Sequence, residues 1–240
     1  MSSERTNNRF IQERTETCQA IFTECRDLME KKKFLEAVGC FNKYTMICPA
    51  DPSGWSNQAA CLISLGRYSE AIHSCEMALE IDNTQKHAHN NKGIALEESG
   101  KLMEALQSYA QACRINPKYV EARFNIGNIL RKMGKYDEAI RYYRDVAKLN
   151  PNFHRVWNNI GVCYHLKKDY ENALVYYRKA SDYSPRDTFP LINSGYCLEE
   201  LGMEEEAIAF YKAALEADPN NEKAKAELFR LELMEKQQNH

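Results

Sequence analysis

The chain has 240 residues, 44% hydrophobic and 28% charged, with 32 lysines and arginines against 34 aspartates and glutamates and a net charge of −2. That near-balance gives no single-sign field of the size that draws a protein to nucleic acid or to an anionic membrane, so neither is an expected partner. No apolar run is long enough for a signal peptide or a membrane-spanning helix, and the expected compartment is the cytoplasm.

In chain order, residues 1–17 are polar, carry little periodicity, and are expected to form a disordered or loosely helical lead. From residue 18 a unit of 34 residues recurs six times without insertion or deletion, as 18–51, 52–85, 86–119, 120–153, 154–187 and 188–221. With the shared alanine (Ala37, Ala71, Ala105, Ala139, Ala173, Ala207) numbered position 20, apolar residues at 4, 8 and 11 fall on one face of a first helix. Positions 20, 24 and 27 do the same for a second helix. Gly66, Gly100, Gly134 and Gly202 at position 15 mark the end of the first helix, and Pro49, Pro117, Pro151, Pro185 and Pro219 at position 32 mark the end of the second. Glycine at position 8 is expected to face the alanine at 20, letting the two helices approach closely. The first unit departs most from this pattern, with Glu24, Cys25, Lys32 and Tyr44 at positions 7, 8, 15 and 27. Terminal repeats are commonly atypical because one face meets solvent. Residues 222–238 are expected to be one more helix, with Ala224, Leu228, Leu231 and Met234 on one stripe and Lys225, Glu227, Glu232, Glu235 and Lys236 around the rest. Segment 222–240 is therefore a capping helix and tail.

This pattern resembles the tetratricopeptide (TPR) repeat. The fifth unit carries the resemblance almost throughout, in Trp157, Ile160, Gly161, Tyr164, Ala173, Tyr177, Ala180 and Pro185, and the six units take 204 of the 240 residues. The resemblance implies an all-α fold, a right-handed superhelical solenoid of six helix-turn-helix repeats plus the C-terminal capping helix. It also implies a scaffold or adaptor that binds an extended segment or helix of a protein partner in a concave groove lined by the first helices. Position 6 of that groove reads Thr23, Asn57, Asn91, Asn125, Asn159 and Asn193. An asparagine amide both donates and accepts, so such a ladder could pair with a peptide backbone whatever its side chains. This arrangement is similar to the asparagine ladder in the TPR superhelix of O-GlcNAc transferases. The alternative is that the amides hold neighbouring repeats together or bind water. Around the ladder, Asn90, Phe124 and Asn158 at position 5, Asn128 and Tyr196 at position 9, and Arg131 and His165 at position 12 complete the candidate peptide-binding residues.

Catalysis is not expected. No phosphate loop, nucleophile elbow or metal signature occurs, so no catalytic residue, cofactor or metal ligand is assigned. The nine cysteines include no CxxC pair, their number is odd, and several occupy small core positions of the repeat, which reads as reduced packing residues. His87 and His89 lie two apart on a helix and do not share a face. The C-terminal carboxylate clamp of chaperone-binding TPR domains needs lysine at position 5 and arginine at position 6, and no unit has either. Two other readings stay open: a permanent structural subunit of a ciliary, cytoskeletal or transport assembly, and a homo-oligomer. Tyr142, Tyr176 and Phe210, all at position 23, either cover helix junctions or offer a second docking face.

Overall fold

Position 15 sets the local geometry. Gly66, Gly100, Gly134 and Gly202 all adopt φ between 72° and 79°, the left-handed conformation that closes a helix C-terminus. Lys32 and Lys168 hold the same turn at φ 58° and 61° in the two units without a glycine there. In the fifth unit the turn closes through Asp169 N–H to Tyr164 O at 3.0 Å and Lys168 N–H to His165 O at 2.8 Å. One turn type thus recurs in all six units whatever residue occupies it.

The computed structural model describes the backbone from Ser2 to Gln238 and the side chains of residues 14–234. Among the described residues there are thirteen α-helices and no strand: α1 Ser2–Glu30, α2 Phe34–Ile47, α3 Pro52–Ser64, α4 Tyr68–Ile81, α5 Lys86–Glu98, α6 Leu102–Ile115, α7 Val120–Lys132, α8 Tyr136–Leu149, α9 Arg155–Leu166, α10 Tyr170–Tyr183, α11 Thr188–Glu200, α12 Glu204–Ala217 and α13 Glu222–Gln238. Each proline at position 32 lies two residues beyond the end of a second helix. Asp51 and Asp187 cap α3 and α11 by accepting from the N–H groups of Ser53 and Phe189. The backbone of residues 2–17 is helical and continuous with the first helix of the first repeat.

The helices form two compact units, one reaching Ala122 and one starting at Arg123. In both, the position-20 alanines and the position-24 side chains are fully buried. One expectation is corrected here. Glycine at position 8 makes room for the ring at position 24, not for the alanine at 20. A Cβ on Gly93, Gly127, Gly161 or Gly195 would lie 2.5–2.6 Å from the ring of Tyr109, Tyr143, Tyr177 or Tyr211 respectively. Where position 8 is Ala59, position 24 shrinks to Cys75; where it is Cys25, position 24 is Phe41. Helix α13 packs on α12 as expected of a cap, burying Ala224 and Leu231, but Met234 at the end of its stripe is exposed. Glu235 and Lys236 fall outside the described side chains.

The reading of the cysteines as uniformly reduced is also corrected. Cys18 is bridged to Cys48, with Cα atoms 6.4 Å apart, and Cys25 to Cys40, with Cα atoms 5.4 Å apart. Cys18 and Cys25 stand two helical turns apart on α1 and face the other two across the α1–α2 hairpin. Position within the repeat gave no sign of that pairing between helices. Cys61, Cys75, Cys163 and Cys197 lie outside the bridges and are buried, as their repeat positions suggested, and Cys113, also outside them, is half-buried.

Candidate functional site

The face of the first helices opposite the core carries the candidate residues. Consider first the unit that ends at Ala122. Asn57 turns its amide back on its own helix, donating to Ser53 O at 2.9 Å. Asn91 donates to Ser56 O of the preceding repeat at 3.1 Å. Asn90 is buried, with 6% of its surface exposed, so it does not line the groove as expected. Tyr109 passes its ring over Gly93 and donates its hydroxyl to Glu97 at 2.9 Å, bringing a core residue out to the groove edge. His87 Nδ1 lies 3.0 Å from the Tyr119 hydroxyl, and His89 Nε2 lies 3.0 Å from Asn83 O. Each ring is thus used locally.

At the N-terminal end of this unit the face opens into a cavity of about 320 Å³, lined by Gln19, Phe22, Thr23, Arg26, Asp27, Glu30, Tyr44, Asp51 and Ser53. Its floor is aromatic: the Phe22 and Tyr44 ring centroids are 5.2 Å apart. Asp27, Glu30 and Asp51 supply carboxylates, and Arg26 reaches Glu30 at 3.4 Å. Burial, reinforced by the Asp51 carboxylate, holds the Tyr44 hydroxyl well above its ordinary pKa, so it stays protonated and donates to Asp51. The candidate residues taken from the sequence did not include this pocket. Its signal was present in Tyr44, an aromatic at position 27 where the later units have Ala78, Ala112, Val146, Ala180 and Ala214.

In the unit that starts at Arg123, the ladder is tied from repeat to repeat. Asn159 donates to Asn128 Oδ1 at 3.0 Å, and Asn193 to Asn158 Oδ1 at 3.3 Å. Asn128 also accepts from the Tyr143 hydroxyl at 2.8 Å. Asn125 and Arg131 are half-buried on α7. Phe124 is corrected from a groove-lining residue to a packed one: it is 9% exposed, edge-on to Phe153 at 5.0 Å and against Tyr143 at 5.8 Å. His165 Nδ1 sits 3.3 Å from Cys197 Sγ, and burial lowers its pKa. Tyr196 is engaged by the cap: its hydroxyl donates to Glu227 at 2.8 Å, and Lys223 stands 4.9 Å from its ring centroid. Arg230 of α13 bonds both Glu227 and Glu199. On the other side of this unit, Tyr176 stacks on Trp157 and Tyr164, the arrangement of a junction cover.

Among the described residues no group of three or more His, Cys, Asp or Glu side chains is placed to hold a metal ion, and no helix is long and apolar enough to cross a membrane.

Helix pairs repeated in register, with side chains of one helix tied to the next repeat, define a helical-repeat protein. Family models described as tetratricopeptide or TPR repeat match residues 52–84, 98–134, 124–187 and 164–226. The chain belongs to the tetratricopeptide repeat family; the first repeat lies outside these matched spans. Hsp70-Hsp90 organizing protein 2 of Arabidopsis thaliana is 31% identical over 67 residues, 28% of this chain, and the match spans only 12% of that protein. Among solved structures, PilW, described as a widely conserved type IV pilus biogenesis factor, superposes with a TM-score of 0.80 at 18% identity, covering 88% of this chain and 98% of its own. PilF of Pseudomonas aeruginosa gives 0.76 at 18% identity over 92% and 99%. YrrB, described as a TPR protein with an unusual peptide-binding site, gives 0.63 at 20% identity over 78% and 96%. At these identities the likenesses establish the fold.

Proposed function

We propose that this chain is a non-enzymatic interaction scaffold that holds an extended segment of a protein partner against the groove face of its first helices. The supporting observation is the cavity at Phe22, Tyr44, Asp27, Glu30 and Asp51, which opens on that face. An aromatic floor attracts a cation through the ring quadrupole, and nearby carboxylates add charge complementarity. A lysine or arginine side chain of the partner is therefore the anchor that suits it. The asparagines play two parts in this reading. The amide N–H groups of Asn91, Asn159 and Asn193 fix the spacing of successive first helices, and the ladder's remaining acceptor capacity faces the ligand backbone. The ligand is an internal segment and not a chaperone tail, because no unit has the lysine at position 5 or the arginine at position 6 of the carboxylate clamp.

The test is selection from a displayed random-peptide library on the wild-type chain, followed by affinity measurement with an Asp27→Asn/Glu30→Gln variant. Both substituted residues are exposed, so the fold should be retained. Selected peptides should carry a recurrent basic residue, and the variant should bind them about tenfold more weakly, the equivalent of roughly 1.4 kcal/mol. Peptides without a basic residue, or undiminished binding to the variant, would refute the assignment.

A further inference from the structure

The first repeat carries a second surface, whose described lining comes from α1 and α2 alone. A cavity of about 600 Å³ lies there, lined by Ile21, Glu24, Leu28, Glu36, Gly39, Cys40, Lys43, Met46 and Ile47. Its walls are mainly apolar, and Met46 on its rim is 83% exposed. Cys40 in its lining is one end of the Cys25–Cys40 bridge. Each of the two bridges has a half-exposed member, Cys18 or Cys40, and a buried one, Cys48 or Cys25. The hairpin is also tied at its open end, where the Arg14 guanidinium donates to Ile47 O at 2.7 Å. Of the cysteines outside the bridges, Cys61, Cys75, Cys163 and Cys197 are buried and Cys113 is half-buried.

We propose that the cysteines of the α1–α2 hairpin are a thiol–disulfide modification site, and that the apolar cavity beside Cys40 docks the partner that carries out the exchange, a thioredoxin-class dithiol oxidoreductase. A disulfide sulfur in the lining of an apolar recess calls for an occupant that brings both an apolar contact surface and a thiol pair. To close the bridge, the Cys40 thiol loses its proton and its thiolate attacks one sulfur of the partner's disulfide. The partner's S–S bond breaks, and its second sulfur leaves as a thiolate. The Cys25 thiolate then attacks the Cys40 sulfur, forming the Cys25–Cys40 bond and expelling the partner's first sulfur. Two electrons pass to the partner, which departs as a dithiol carrying the two protons the cysteines gave up. Run backwards, the same steps open the bridge. Disulfides persist in oxidising compartments, so the proposal places the working protein in one and not in the cytoplasm first expected.

The experiment uses the full chain in two stages. After equilibration with glutathione disulfide, the protein is denatured and alkylated without reduction, then digested and mapped by mass spectrometry. Alkylation is expected at Cys61, Cys75, Cys113, Cys163 and Cys197, with linked peptides joining Cys18 to Cys48 and Cys25 to Cys40. Alkylation at all nine cysteines, or other linkages, would overturn the site. In the second stage a thioredoxin whose resolving cysteine is changed to serine is mixed with the oxidised chain. It should be trapped as a mixed disulfide on Cys40. Met46→Glu should slow that trapping about tenfold, the scale of one lost buried apolar contact, while leaving reduction by free dithiothreitol unchanged. Trapping on the buried Cys25, or equal trapping by wild type and Met46→Glu, would overturn the docking cavity.

Discussion

Single residues decide how well each repeat fits its own turn and its own core. Lys168 sits at φ 61° where four other units have glycine. A left-handed conformation costs a side-chain-bearing residue on the order of 1 kcal/mol relative to glycine. Lys168→Gly should therefore stabilise the protein by about that amount, and a chemical denaturation curve checks it. The pairing of position 8 with position 24 makes a sharper prediction. Gly161→Ala places a Cβ 2.6 Å from the Tyr177 ring and should cost about 1–3 kcal/mol as overpacking. With Tyr177→Cys already present, mimicking the natural Ala59–Cys75 pair, the same alanine should cost close to nothing. A double-mutant cycle in urea measures the coupling. Reactivity follows burial in the same way. Burial pushes the Cys61 thiol up to about 11, and those of Cys75, Cys163 and Cys197 up to about 12. Native alkylation at mildly alkaline pH, read by peptide mass spectrometry, should label the half-buried Cys113 ahead of these four. The repeated glycines and prolines were legible in the sequence because each answers to backbone geometry alone. The glycine's true partner was not, because both position 20 and position 24 lie on the second helix's inner face, and only the packed side chains show which one it meets.

At the scale of helices, the two ends of the chain are secured by different means. The α1–α2 hairpin is closed by two bridges. In a loop-closure account a bridge spanning 15 residues, the separation of Cys25 and Cys40, contributes about 3 kcal/mol. Opening that bridge with reductant should lower the stability of the first repeat by about that amount, and opening the Cys18–Cys48 bridge as well should lower it further, seen as earlier loss of amide-exchange protection in α1 and α2 than in α3 and α4. Helix α13 is held by apolar contact more than by charge. Arg230 is partly exposed, and such surface pairs contribute less than about 1 kcal/mol each. Leu231 is 3% exposed, and its truncation to alanine should cost about 2–5 kcal/mol. Thermal melts of Arg230→Ala and Leu231→Ala should rank in that order. The capping helix was legible from its stripe and from the end of the 34-residue period. The bridges were not, because a repeat frame compares like positions in different units, whereas a disulfide joins unlike positions within one.

For the molecule as a whole, the 34-residue register brings like residues to one position of each first helix. The ladder was visible in the sequence as five asparagines at one position. Its hydrogen bonds are set by packing: Asn91, Asn159 and Asn193 reach across to the preceding repeat, so replacing them would disturb the scaffold as well as any ligand. The pocket at Phe22 and Tyr44 is a cleaner probe, since carboxylates on its rim are exposed. The most direct test of the groove assignment is an amide-resolved NMR titration of the isotopically labelled chain with a selected basic peptide. The account predicts shifts concentrated at Phe22, Arg26, Asp27, Glu30, Tyr44 and Asp51, and extending along the groove face of α3. Shifts confined to the opposite face, at Leu35, Met46 and their neighbours on α2, would contradict it.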